Sequence, residues 1–312
     1  MKKKILILSG GTATAWHLSQ IVKDEFDTYF TLCIGDVNPR NLIPASTLCA
    51  EYYQLPFISD SAYYEYMIEL LKEKNIDILV PLIDFDLALF PSDNIDLIKL
   101  NIYSTAPKRQ LMNICKSKTD LSKLLSNNGI LVPRIYNQSD IEFNQKYFVK
   151  PDEGFGSKEA EILIGKDIVF LDKIIVQEIL HQPEITVEVF KKDDYLSYIC
   201  RERLETKSGV CTKARFCEDV EIDEIINRIN TFIELPLACC IQFMKNNDNK
   251  WCLTDFNMRL GAGTALSFAA GFRISAAFLS VLAGQDNCRE YLHKTLDEVF
   301  VVRVYNEIVM PQ

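Results

Sequence analysis

Lys150-Pro-Asp-Glu-Gly-Phe-Gly-Ser157 is a segment built to hold an anion. Gly154 and Gly156 permit backbone conformations closed to other residues and leave amide N–H groups able to wrap a phosphate, with the Ser157 hydroxyl as a further donor. Lys150 ends an apolar run and can set an ammonium on the same anion; a plain glycine-rich hairpin turn is the competing reading. Further along stands Trp251-Cys-Leu-Thr-Asp-Phe-Asn-Met-Arg259. On a strand, side chains two apart share a face, so Asp255, Asn257 and Arg259 align along roughly 13 Å of one surface while Phe256 and Met258 enter the core. Asp and Asn oxygens suit Mg²⁺, and a guanidinium can stabilise a transferring phosphoryl group. A solvent-facing strand edge would carry the same residue types.

Other segments extend this chemistry. Gln242 lies in the apolar run Cys239–Met244, which an Asn-rich turn joins to Trp251, so a hairpin would bring Gln242 near Asp255. Its oxygen is either a neutral metal ligand or a satisfied core amide. Val176-Gln-Glu178-Ile-Leu180-His-Gln-Pro-Glu184 offers an adenine slot. Backbone groups of Glu178 to Leu180 would read the base and Glu184 would accept from ribose hydroxyls; the alternative is a strand ending in a Pro-marked turn. Arg201, Arg203, Lys207, Lys213 and Arg215 form either a solvated basic hairpin or an electropositive wall for a substrate carboxylate and a γ-phosphate. Gly261-Ala-Gly263-Thr lets backbone approach a ligand closely. Asp84 and Asp86 fit helix capping better than amine binding.

These groups need a scaffold, and the chain has room for one. Its 312 residues exceed a single compact core, which predicts two or three units around a shared cleft. The first hundred residues alternate strand runs (Ile5–Leu8, Tyr29–Ile34, Ile78–Val80) with helical patterns (Ala13–Lys23, Ala62–Lys74), which predicts a parallel sheet with crossover helices. Gly10-Gly11 follows the first strand, but the spacing of a dinucleotide fingerprint is incomplete, which disfavours an NAD-dependent oxidoreductase. Asn128-Gly129 reads as a helix stop. From Tyr147 onward strands dominate, with one helix near Ile222–Glu234, which predicts an antiparallel or mixed sheet. Ala265 to Gly284 reads as a buried helix pair because Arg273 interrupts it.

Charge and composition exclude other classes. Lys and Arg total 34 against 43 Asp and Glu, a net charge of −9, so there is no electrostatic footprint for nucleic acid or anionic membrane. The ten cysteines include no C-x-x-C and read as buried thiols of a cytoplasmic protein.

Taken in order, Lys118 before Gly-Ile-x-Val-Pro, Lys150-Pro with Gly-x-Gly-Ser, Gln-Glu-x-Leu with Glu184, Gln242 and Asp-x-Asn-x-Arg resemble the ATP-grasp superfamily, in the branch that looks like the large subunit of carbamoyl-phosphate synthetase. The resemblance implies an α/β, Rossmann-like pre-ATP-grasp domain over 1–106. An α+β ATP-grasp fold of two subdomains would follow, a small one over 107–180 with the phosphate lid and a catalytic one over 181–312. It implies ATP and Mg²⁺ as cofactors. Lys118 and Lys150 would contact phosphates, Gly154, Gly156 and Ser157 would form the lid, Gln177, Glu178, Ile179 and Leu180 would hold adenine, and Glu184 the ribose. Gln242, Asp255 and Asn257 would bind metal, and Arg259, Lys150 and Arg203 would serve catalysis. Asp255 stands where Glu is common. The expected reaction joins a small-molecule carboxylate to an amine or thiol through an acyl phosphate, with homodimerisation left open. A catalytically inactive, nucleotide-binding regulatory protein is the alternative.

Overall fold

The computed structural model of the chain describes residues 2–153, 160–171, 173–293 and 298–310. Strands β1 (Lys3–Ile7), β2 (Phe30–Asp36), β3 (Glu51–Gln54), β4 (Ile78–Val80) and β5 (Tyr103–Ser104) form a parallel sheet in the order β3-β2-β1-β4-β5. Its central strands are aliphatic and buried on both faces, as parallel strands covered by helices must be. Helix α1 (Ala13–Glu25), capped by the Thr12 side chain accepting from the Ala15 N–H, covers one face. Helices α2 (Tyr63–Glu73) and α4 (Ile95–Lys99) cover the other, and the short α3 (Asp84–Leu89) leaves β4. Strand order reverses between β1 and β4, so Ser9–Gly11 and Asp84 open on the crevice where such sheets receive ligands. Gly10 serves packing: a Cβ there would lie 2.3 Å from the Ile34 side chain.

Helices α5 (Arg109–Lys116) and α6 (Lys118–Asn127) follow, and Gly129 in the left-handed region (φ +71°) ends α6 where the sequence predicts a stop. Strands β6 (Ile135–Tyr136), β7 (Lys146–Pro151), β8 (Glu161–Ile164) and β9 (Ile174–Gln177) build an antiparallel sheet in the order β6-β9-β7-β8. Among the described residues its buried core is Tyr147, Val149 and Val176 with partly buried neighbours, a small cluster beside those of the other sheets.

The last unit is an antiparallel sheet of β10 (His181–Lys192), β11 (Tyr195–Lys207), β12 (Val210–Cys217), β13 (Ala238–Lys245), β14 (Trp251–Asn257) and β15 (Val299–Val302), ordered β14-β13-β10-β11-β12-β15. One face packs against α7 (Val220–Phe232), α5 and α6. The other packs against α1, α8 (Thr264–Ala269) and α9 (Ile274–Leu282) in a core continuous with the first sheet. The first and last units are therefore joined by shared apolar burial. The α8–α9 pair matches the expected buried helices, and no described helix is long and apolar enough to cross a membrane. The Pro-marked turn expected before Glu184 is not a turn, because Pro183 lies inside β10.

Candidate functional site

Strand register places Gln242 of β13 directly opposite Asp255 of β14, as the hairpin reading predicts. Phe256 and Met258 are buried, which turns Asp255, Asn257 and Arg259 to the opposite side. Asn257 Nδ2 donates to Asp255 Oδ2 at 3.0 Å, and Arg259 Nη2 donates to Asn257 Oδ1 at 3.2 Å. Arg259 also reaches the first domain: its Nε and Nη2 donate to the two carboxylate oxygens of Asp84 at 3.1 and 3.0 Å. Burial pulls the Arg259 pKa down, and the Asp84 carboxylate outweighs it and raises it. The capping role expected for Asp84 and Asp86 is wrong. The N-cap of α3 is Ile83, with no side-chain cap bond. Asp86 is buried, accepts from Ser9 Oγ and Tyr63 Oη, and is pushed up by that burial to about 6.

Lys150, the penultimate residue of β7, has 8% of its surface exposed, and its ammonium has no hydrogen-bond or ion-pair partner among the described residues. Burial lowers its pKa to about 8, with Asp255 pulling it back up and Lys118 pushing it further down. Lys118 opens α6, donates to the Asp152 carbonyl at 3.1 Å, and is likewise lowered by burial against the pull of Asp255, Asp152 and Asp84. Asp152 fixes this junction by accepting from Ser117 Oγ, Thr119 N–H and Thr119 Oγ1. Two lysines thus face one aspartate across a gap. Gly154, Gly156 and Ser157, expected to form the lid, lie outside the described residues.

At the far end, the Glu178 carboxylate accepts from the Arg134 N–H and the Glu178 N–H donates to the Arg134 carbonyl. No hydrogen bond among the described residues takes the N–H of Ile179 or Leu180. A cavity of ≈ 330 Å³ brings the expected residues together. Its walls are Lys118, Lys150, Gln177, Glu178, Ile179, Leu180, Glu184, Gln242, Asp255 and Asn257, with Asp84, Pro133, Phe148, Ile162, Met244 and Thr254. That volume suits a small-molecule ligand. Phe148 and Met244 escaped the sequence reading although they sit two residues from Lys150 and Gln242, and period-two alternation would have found them. Asp84 carried no such signal.

Three expectations need correction. The five-residue basic group does not form one wall. Lys213 pairs with Glu205, and Arg215 with Glu202 and Glu298, while Arg201 is buried against Glu188. Arg203, expected among the catalytic groups, is ion-paired to Glu184 and donates to the Gly209 carbonyl at 2.8 Å, which ties it to the Glu184 end of the cavity, away from Lys150 and Asp255. Gly261 and Gly263 make room for the protein itself: a Cβ would meet Cys240 Sγ at 2.9 Å and Arg201 Nη2 at 2.0 Å respectively.

The donor set fits a hard cation in part. Asp255 supplies one carboxylate, Asn257 and Gln242 neutral oxygens, and the Gln242 side chain has no hydrogen-bond partner among the described residues. Oxygen donors of this kind suit Mg²⁺, which keeps several ligands from water or phosphate. Among the described residues no cluster of three or more His, Cys, Asp or Glu forms an all-protein cage.

Comparisons with known proteins agree with this architecture. Residues 5–104 match the family model "PylC-like, N-terminal domain", and residues 170–307 match "ATP-grasp in the biosynthetic pathway with Ter operon". No curated protein sequence matches the chain. Among solved structures, an L-amino acid ligase from Bacillus licheniformis aligns with TM-score 0.75 and 12% identity, over 96% of this chain and 79% of that one. An N5-carboxyaminoimidazole ribonucleotide synthetase from Thermotoga maritima gives 0.71 and 16%, over 98% and 82%. An N5-carboxyaminoimidazole synthetase from Staphylococcus aureus, complexed with ADP, gives 0.71 and 13%, over 92% and 79%. At these identities the likeness is one of fold.

Proposed function

We propose that this chain, whose residues 170–307 match an ATP-grasp family model, uses ATP to activate a carboxylate as an acyl phosphate and then couples it to an amine or thiol. The observation that carries the reading is the single cavity walled by the hinge backbone at one end and by Lys118, Lys150 and the Asp255 row at the other. The N–H groups of Ile179 and Leu180, without a hydrogen-bond acceptor among the described residues, suit an adenine edge, and Phe148, Ile162 and Met244 supply apolar walls for the ring. Glu184, steadied by Arg203, suits a ribose hydroxyl.

A carboxylate is a poor electrophile, and its activated form is prone to hydrolysis. The protein's contribution is alignment and charge neutralisation at a site closed to water. Lys150 presents a largely desolvated ammonium to the phosphates, where its attraction is stronger than in water. Arg259, held by Asp84 on one side and Asn257 on the other, is oriented before any ligand arrives. Gln242, Asp255 and Asn257 would hold Mg²⁺, which supplies charge neutralisation between phosphate oxygens. No Cys or His nucleophile is needed.

The test is ADP release from MgATP over a panel of carboxylates with amines or thiols as acceptors. Arg259→Ala should reduce release by about a thousandfold while nucleotide affinity stays within a few fold, as for loss of a transition-state donor. Undiminished turnover in Arg259→Ala would refute its role. Nucleotide binding without ADP release across the panel would favour the regulatory alternative, for which the single carboxylate among the expected metal ligands is the supporting feature.

A further inference from the structure

The face of the last sheet that carries Asp255 continues as a polar row well beyond the nucleotide cavity. Asp255 is in register with Gln242, Gln242 with Thr186, and Thr186 with Arg201, on four adjacent strands. Strands lie about 4.8 Å apart, so Arg201 stands roughly 14 Å across the sheet from Asp255. The same face carries Glu188, and Phe190 and Ile199 on it pack in the core shared with α1, α8 and α9. Polar side chains in such a place need partners.

Around Arg201 these partners are incomplete among the described residues. Arg201 is 3% exposed and donates one bond, from Nη2 to Glu188 Oε1 at 3.3 Å. Its Nε and Nη1, the second Glu188 oxygen and Thr186 Oγ1 are all buried without a hydrogen-bond partner. Arg303 arrives from beyond β15 and donates to the Ala262 carbonyl at 2.6 Å, with no carboxylate paired to it among the described residues. Ala262 and Gly263 bring the two guanidiniums together, one bonded to the Ala262 carbonyl and the other against Gly263, and Arg303 is lowered by burial and by the charge of Arg201. Two cations against one carboxylate leave an excess of positive charge and unpaired donors. A structural ion pair would close its own hydrogen bonds, because leaving a buried charged donor unpaired costs on the order of 1–3 kcal/mol or more. Gly263 is the residue that permits this arrangement, since any side chain there would occupy the position of the Arg201 guanidinium.

We propose that Arg201 and Arg303 form a seat for a carboxylate of the organic substrate, separate from the phosphate-binding groups and joined to them by the polar row through Thr186 and Gln242. A planar guanidinium fork with unpaired N–H groups matches the two oxygens of a carboxylate. The Glu188 carboxylate beside it disfavours a doubly charged phosphate. The substrate is then a small acid whose length spans the distance from this seat to the Asp255 row. The inference rests on the function proposed above, and it sharpens that reading to a substrate class.

The experiment titrates the full chain calorimetrically, nucleotide-free and loaded with Mg²⁺ and a nonhydrolysable ATP analogue, with the common L-amino acids, succinate and inorganic phosphate. A carboxylate should bind. Arg303→Gln and Arg201→Lys should each weaken it by about tenfold or more while analogue affinity stays within about twofold. Arg303 is only half buried, so its variant keeps the test open if Arg201→Lys fails to fold. Lys213→Gln, on a residue already paired with Glu205, should match the parent. Carboxylate affinity unchanged in both arginine variants, no carboxylate binding in either state, or binding of phosphate alone would overturn the proposal. Failure of the parent chain to bind the analogue would instead overturn the nucleotide reading, and the nucleotide-free titration would still decide the seat.

Discussion

Raising the pH through about 8 should discharge Lys150 in the empty protein and weaken nucleotide binding. The ammonium is buried with no partner among the described residues, and burial has brought it down from 10.5 to about 8. Triphosphate oxygens arriving beside it stabilise the charged form, so the pKa of Lys150 rises on binding and the complex takes up a proton. Near pH 8 the empty protein is half protonated there, and uptake should approach roughly half a proton per nucleotide. Between about pH 7 and about pH 9 the protonated fraction falls by about tenfold, and affinity should fall by the same factor, about 1.4 kcal/mol. The assay is calorimetry of a nonhydrolysable ATP analogue at several pH values, in pairs of buffers with different ionisation enthalpies. Lys150→Met should bind weakly and without proton uptake near pH 8. Affinity that stays flat across this range, or uptake that survives Lys150→Met, would refute the placement of this ammonium on the phosphates.

The same burial makes Lys150 a cost to the empty fold. Its folded pKa lies below its unfolded value, so the native state prefers the neutral amine; stability is reduced in full below about pH 8 and is recovered as the pH rises from 8 towards 10.5. Lys150→Met should therefore stabilise the nucleotide-free protein at neutral pH by roughly 3 kcal/mol, or roughly 5 °C in Tm, with the gain disappearing towards pH 10.5. A lower Tm for this variant at neutral pH would show that attraction to Asp255 outweighs desolvation. Asp84→Ala leaves the Arg259 guanidinium without its bidentate partner and should destabilise the protein by roughly 3 kcal/mol in chemical denaturation, with part regained in Asp84→Ala/Arg259→Met. Asp152→Ala removes the acceptor for Ser117 and both Thr119 donors. It should cost roughly 2 kcal/mol and raise the KM for ATP several-fold by loosening Lys118, read by denaturation and steady-state kinetics.

What the sequence determined was local. Short apolar, β-branched runs located β1, β2 and β4 and later β7, β9, β13 and β14, and helical periodicity located α1 and α2, because these signals depend only on the segment's own residues. Strand period likewise put Asp255, Asn257 and Arg259 in one row, and the short Asn-rich turn set Gln242 across from Asp255. Strands β3 and β5 carry no aliphatic run, and β12 was hidden by its charged residues. The tertiary structure decided which of two like residues faces the site. Arg201 and Arg203 stand two apart on β11, yet one is buried against Glu188 and the other is paired to Glu184 at the rim of the cavity. Asp84 meets Arg259 across 175 residues of chain, and Lys150 is lowered to about 8 because burial and the charge of Lys118 outweigh the pull of Asp255, groups brought together from different units. Those partners are set by how whole units pack and by how much water that packing excludes, and no periodicity within one segment carries that information.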